Sequence, residues 1–173
     1  MSFPFFQIFV LLSTGSQQSP SPGPSMESWE QECDFPFKKL QIVMPVASEE
    51  PDTFFHQGDY YSGCAYVEGF GEGGFMLYHI ENGLVYLLEA FYPNGQQERR
   101  FSFENGLSTG LHEMWFSDGR LYIQENKLMG QSHGIQRRWH PNGQLAREAL
   151  FKKGEMVWEN LFDEEGTLVN SRK

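Results

Sequence analysis

Between Phe91 and Leu168 the sequence says nearly the same thing four times, and that repetition limits the fold more than any other feature. Phe91-Tyr-Pro-Asn-Gly95, Trp115-Phe-Ser-Asp-Gly119, Trp139-His-Pro-Asn-Gly143 and Phe162-Asp-Glu-Glu-Gly166 align with glycine steps of 24, 24 and 23 residues. Gly83, Gly106, Gly130 and Gly154 form a second series with steps of 23, 24 and 24, and Gly110 and Gly134 a third pair, again 24 apart. Three interleaved series sharing one period mark tandem repeats.

Each unit has a physical logic. Asn-Gly and Asp-Gly let two consecutive residues take positive φ, as a tight hairpin turn requires. Pro93 and Pro141 sit just before the turn, where a fixed φ is tolerated. The flanking runs are short and rich in aromatic, leucine and β-branched residues. Period-two alternation puts Leu111, Glu113 and Trp115 on one side and His112, Met114 and Phe116 on the other. Neither side is purely polar, so both are expected to be partly covered. The second glycine series closes the unit, giving strand, turn, strand, turn. One such hairpin is marginal alone and needs neighbours. Phe91, Trp115, Trp139 and Phe162 are expected to form an aromatic ladder in register, ring neighbours gaining about 0.5–1.5 kcal/mol beyond area burial. Its main reading is structural core; a ligand-stacking platform is the alternative.

Trp115-Phe-Ser-Asp-Gly-Arg-Leu121 and Trp139-His-Pro-Asn-Gly-Gln-Leu145, with the paired glycines Gly110 and Gly134, resemble MORN-variant repeats. They are most similar to those of the bacterial YwqK-family antitoxin-like proteins. The resemblance covers Gly83 to Val169. The outer units depart from it: Phe91 and Phe162 replace Trp, Gln97 replaces Leu, and Glu165 stands where Asn or Asp precedes the glycine. Atypical end units fit caps. The resemblance implies a β-hairpin solenoid and a protein-binding role as the neutralising partner of a toxin. It carries over no catalytic residue.

The expected fold is therefore all-β, an antiparallel β-hairpin repeat solenoid with a disordered N-terminal tail. Residues 1–27 form a disordered or signal-like tail, 28–83 an N-terminal cap with degenerate repeats, and 84–173 the four repeats. The apolar run Met1 to Leu12 is too short for a bilayer span. It lacks a basic start and a small-residue cleavage site, so it is incomplete as a signal peptide. Met26 is an alternative start. Ser25–Cys33 is read as a short helical turn and Leu40–Met44 as a strand covering the end of the stack. From Phe54 to Gly83 the repeat continues in worn form, with Tyr60, Tyr61, Tyr66 and Val67 supplying the strand that partners Phe75–Glu81.

Charge is uneven. Residues 1–83 hold eleven acids and two bases, residues 84–173 twelve and eleven, within a net charge of −10. An acidic front half disfavours nucleic acid and anionic membrane and suits a basic partner surface. The doublets Arg99-Arg100, Arg137-Arg138 and Lys152-Lys153 recur at similar places. Strand neighbours point to opposite faces, so one member of each could form a basic row reading a phosphate or acidic partner. Charged protection of an edge against strand addition is the equal alternative.

Catalytic readings mostly fail. Gly69-Phe-Gly-Glu-Gly-Gly74 has the letters of a dinucleotide fingerprint, but a strand follows it and not a helix. Cys33 and Cys64 form no C-x-x-C pair, which excludes a zinc ribbon. They are expected to be buried or free thiols in a reducing compartment, with one disulfide as the alternative for an exported chain. His56, His79, His112, His133 and His140 show no ligand spacing and are expected at surfaces or edges. No metal, cofactor or catalytic residue is assigned. The leading expectation is a cytoplasmic, non-enzymatic interaction protein, antitoxin-like or scaffolding, whose partner is a protein such as a toxin with a basic surface. A membrane- or phospholipid-associated repeat protein is the alternative. Tyr92, Phe116, Arg137, Arg138 and His140 are the contact candidates, beside the turns or opposite the ladder.

Overall fold

The computed structural model describes residues 38–39, 53–56, 59–70 and 73–173. The tail, the Ser25–Cys33 turn and the Leu40–Met44 strand lie outside them. Fifteen strands and no helix occur among the described residues: β1 (Lys38–Lys39), β2 (Phe55–His56), β3 (Asp59–Tyr60), β4 (Gly63–Phe70), β5 (Gly74–Glu81), β6 (Leu84–Phe91), β7 (Gln97–Glu104), β8 (Leu107–Ser108), β9 (Gly110–Trp115), β10 (Leu121–Leu128), β11 (Gln131–Ser132), β12 (Gly134–Trp139), β13 (Leu145–Lys152), β14 (Glu155–Phe162) and β15 (Leu168–Arg172). They form one open sheet in the order β1-β4-β5-β6-β7-β9-β10-β12-β13-β14-β15, with β8 and β11 on β7 and β10; β2 and β3 pair separately. Every pairing is antiparallel except β1 with β4.

The two glycine series build different turns. At Asn82–Gly83, Asn105–Gly106, Met129–Gly130 and Lys153–Gly154 both residues have positive φ, between 48° and 84°. Each is a two-residue hairpin loop whose twist matches its strands. In the other series only Gly95, Gly119, Gly143 and Gly166 have positive φ. The expectation of two positive-φ residues at Asn94–Gly95 and its equivalents is thus corrected. Gly95 N donates to Tyr92 O (2.9 Å) and Tyr92 N to Gln96 O (2.8 Å). That is a type I turn closed by a left-handed glycine, and Pro93 fits it because its fixed φ is negative. A register shift follows each such turn, at Ala90/Phe91, Leu121/Ile123, Arg138/Trp139 and Leu161/Phe162. These bulges increase the local twist of the sheet.

The four repeated aromatics lie on one face, but they do not stack on one another as expected. Each pairs across its turn with a residue of the next strand: Phe91 with Gln97, Trp115 with Leu121, Trp139 with Leu145 and Phe162 with Leu168. Consecutive aromatics are thus two strands apart, about 10 Å, beyond the 4.5–7 Å range of ring pairs. Phe91 instead stacks on Phe75 of β5 (centroids 4.7 Å apart, planes at 14°).

The core is concentrated toward β4–β6, where Ala65, Leu77, Ile80, Ala90 and Phe91 are buried; Ala149 is the buried apolar residue farther along. Phe54 and Tyr61 hold the Asn82–Gly83 turn from outside the repeats, with Phe54 N donating to Gly83 O and Gly83 N to Tyr61 O, both at 2.7 Å. Cys64 is disulfide-bonded and not a free thiol. The chain's other cysteine, Cys33, lies outside the described residues. Sequence distance had hidden the proximity of β1, which runs beside Ala65 and Tyr66 of β4.

Candidate functional site

Pairing register sorts the polar residues into two rows, one on each face. Direct cross-strand partners share a face. Glu89, Arg100, Glu113, Gln124, Arg137, Glu148 and Asn160 are linked pair by pair across β6 to β14. The same face carries the repeated aromatics two residues farther along. Within this row Glu89 Oε1 lies 3.8 Å from Arg100 Nε, Gln124 donates to Glu113 (3.1 Å) and Arg137 to Glu148 (2.9 Å). On the opposite face Arg138 lies 3.7 Å from Glu125, which also takes Lys127 at 3.1 Å. Glu159 takes Arg147 at 2.6 Å and Arg172 at 2.7 Å.

The expected row of available basic charge is therefore corrected for the arginine doublets. Arg99 bonds Glu98, and Arg100, Arg137 and Arg138 each face a carboxylate on a neighbouring strand. Repeats that place arginine at one period also place glutamate one strand away.

Glu89 lies at the deep end of the first row. It accepts from His79 Nε2 (3.1 Å) and Gln97 Nε2 (2.9 Å), and His79 Nδ1 lies 3.8 Å from Cys64 Sγ. Burial pushes the Glu89 carboxyl up, but the His79 bond and charge, with Arg100 and Gln97, together hold it below its usual value. With Cys64 in a disulfide, this constellation orders side chains around a crosslink.

His112 corrects the expectation that histidines sit at surfaces. It is buried, stacked on Phe101 (4.7 Å), with Nε2 donating to Ser102 O (2.9 Å). Burial is the largest effect on it and lowers its pKa. The unfolded chain then binds the proton more readily, so stability falls as pH drops below about 6.5. Thermal melts from pH 7.5 to 5 should show that loss, and His112→Gln should flatten it. A slope unchanged in the variant rejects the assignment.

Three of the contact candidates line the type I turns. Tyr92 donates its hydroxyl to Trp115 O (2.8 Å), and His140 Nε2 donates to Phe162 O (2.9 Å). Asn94 and Asn142 repeat the clamp two residues on, donating to Ser117 O (2.8 Å) and Glu164 O (2.7 Å). Phe116, at the equivalent place, has no donor and packs on the Tyr122 ring (4.8 Å). Arg137 and Arg138 point to opposite faces within their ion pairs. The structure thus does not gather the five candidates into one cluster. Tyr92→Phe should cost about 0.5–1.5 kcal/mol in urea unfolding, the net worth of one hydrogen bond. No loss would mean that the clamp is not formed.

This periodic arrangement has a counterpart among known repeats. Residues 132–153 match the MORN repeat variant family. The matched stretch spans β12, β13 and the turn that closes them, one unit of the series, and such a repeat points to a repeat-built interaction module. No curated protein and no solved structure matches the chain. Among the described residues no group of His, Cys, Asp and Glu has metal-binding geometry, and no helix is long and apolar enough to cross a membrane.

Proposed function

We propose that this chain is a non-enzymatic protein-interaction module of the antitoxin-like or scaffolding kind. The observation that carries the reading is the constant-period presentation of equivalent turns along both edges of one open sheet, while the charges of its faces are largely neutralised by neighbours. Repeat sheets of this form offer extended surfaces to partners. The acid-rich residues 1–83 suit a basic patch on that partner. The disulfide at Cys64 favours an oxidising compartment over the reducing cytoplasm expected from sequence.

Affinity capture from the native host with the full chain tests this. Stoichiometric retention of one protein through a salt wash is expected. Recovery of background proteins alone, at low salt, rejects the interaction reading. The antitoxin form predicts that the captured protein slows growth when expressed alone and loses that effect on co-expression. Normal growth in both cases leaves a scaffold. Pelleting of the chain with anionic liposomes, and no captured protein, would favour a membrane-associated role.

A further inference from the structure

The edge built by the two-residue turns carries two features that the fold itself does not use. The first is apolar. Leu107, Leu128 and Met129 are 45%, 48% and 69% exposed. They belong to adjacent turns: a Cβ added at Gly130 would lie 3.9 Å from Leu107 Cδ2, and Gly130 N donates to Ser108 O at 2.8 Å. Met129 also sits at φ 48°, where Asn82 and Asn105 stand in the two preceding turns of this kind. The left-handed region suits Asn and strains a longer side chain. A side chain both strained and exposed contributes little to stability, and such outliers cluster at functional sites.

The second feature is charge. The other basic residues from Arg99 to Arg172 each face a carboxylate. Lys152 and Lys153 are exposed and hold no ion pair among the described residues. They occupy the next turn along the edge, where Gly154 N donates to Ser132 O at 2.9 Å. That turn stands two strands from Met129, about 10 Å, or roughly three residues of an extended chain.

We propose that Leu107, Leu128, Met129, Lys152 and Lys153 form a docking site for an extended segment of a protein partner, one that carries apolar side chains and, about three residues along, carboxylates. The proposal rests on the reading of the chain as an interaction module and names the edge that reading would use. Charge complementarity selects the acidic end of the segment and the exposed side chains its apolar end. A protein segment fits better than an anionic bilayer, because the apolar cluster is small and the chain's net charge of −10 opposes approach to such a surface.

The test uses the full chain with 13C-labelled methionine methyls. The probes are a synthetic peptide with a Leu-Leu pair ahead of a glutamate run, its lysine-for-glutamate twin, and phosphatidylserine vesicles. The acidic peptide should shift the Met129 methyl and leave buried Met76 in place. Met129→Asn should raise the melting temperature while weakening the peptide roughly fivefold. Lys152→Glu with Lys153→Glu should weaken it roughly tenfold. Equal binding of the lysine twin, a Met129 shift with vesicles in place of the peptide, or a shift on simple dilution, as a second copy would give, each overturns the proposal. So does a less stable Met129→Asn chain. Capture of a native partner that survives these substitutions removes this site but keeps the module; an empty capture beside peptide binding removes the module and keeps the site.

Discussion

Phe91→Ala is expected to cost about 3–5 kcal/mol, the range for emptying a well-packed aromatic site. Trp115→Ala, Trp139→Ala and Phe162→Ala should each cost less, although the four residues occupy the same place in their repeats. The difference is cover. Phe91 is 2% exposed and stacks on Phe75, in the region where Ala65, Leu77, Ile80 and Ala90 close the core. The other three are half-buried on an open sheet, where solvent already reaches part of the ring and little cavity is left behind. Urea unfolding followed by tryptophan fluorescence gives the ranking. Equal losses at Phe91 and Trp139 would mean that stability is spread evenly along the stack, against the observed concentration of burial.

The period was fully legible in the sequence, because turns need particular residues at fixed places and strands tolerate many. Gly83, Gly106, Gly130 and Gly154 close two-residue loops, and the antiparallel repeat sheet follows from them. The kind of turn at Asn94–Gly95 is not legible from Asn-Gly, which serves two geometries; Pro93 fits the one observed, but Ser117 stands in its place in the same turn at Gly119. The repeated aromatics share the expected face but not the expected contacts. A 24-residue repeat advances two strands, and spacing in sequence does not convert to contact in space. Neutralisation of Arg137 and Arg138 depends on register with β13 and β10, which no local pattern encodes. Burial of His112 and the crosslink at Cys64 depend on neighbours on other strands. The αL position of Met129 was hidden for the opposite reason: it departs from the Asn of the earlier turns, and only the dihedral angle shows that the departure is strained.

Gly74→Ala should be the most damaging of the glycine substitutions, at about 3 kcal/mol or more, the upper range for overpacking. A Cβ at this position would lie 2.0 Å from the carbonyl oxygen of Phe91 and 3.1 Å from its carbonyl carbon. Both atoms are backbone, so no rotamer change relieves the clash. Relief requires β5 and β6 to separate where Phe75 pairs with Phe91, which also breaks their ring stack. Gly74 is not among the positive-φ glycines, so its conformation is open to alanine and the cost is steric. Gly143 provides the contrast. It has φ 88° with nothing within 4 Å of an added Cβ, so Gly143→Ala meets only backbone strain, about 1–2 kcal/mol. Parallel denaturation of the two variants separates the effects. If Gly143→Ala proved the more harmful, the close approach of Gly74 to the Phe91 carbonyl would not be a determinant of this sheet, and the concentration of stability around β5 and β6 would lose its main structural cause.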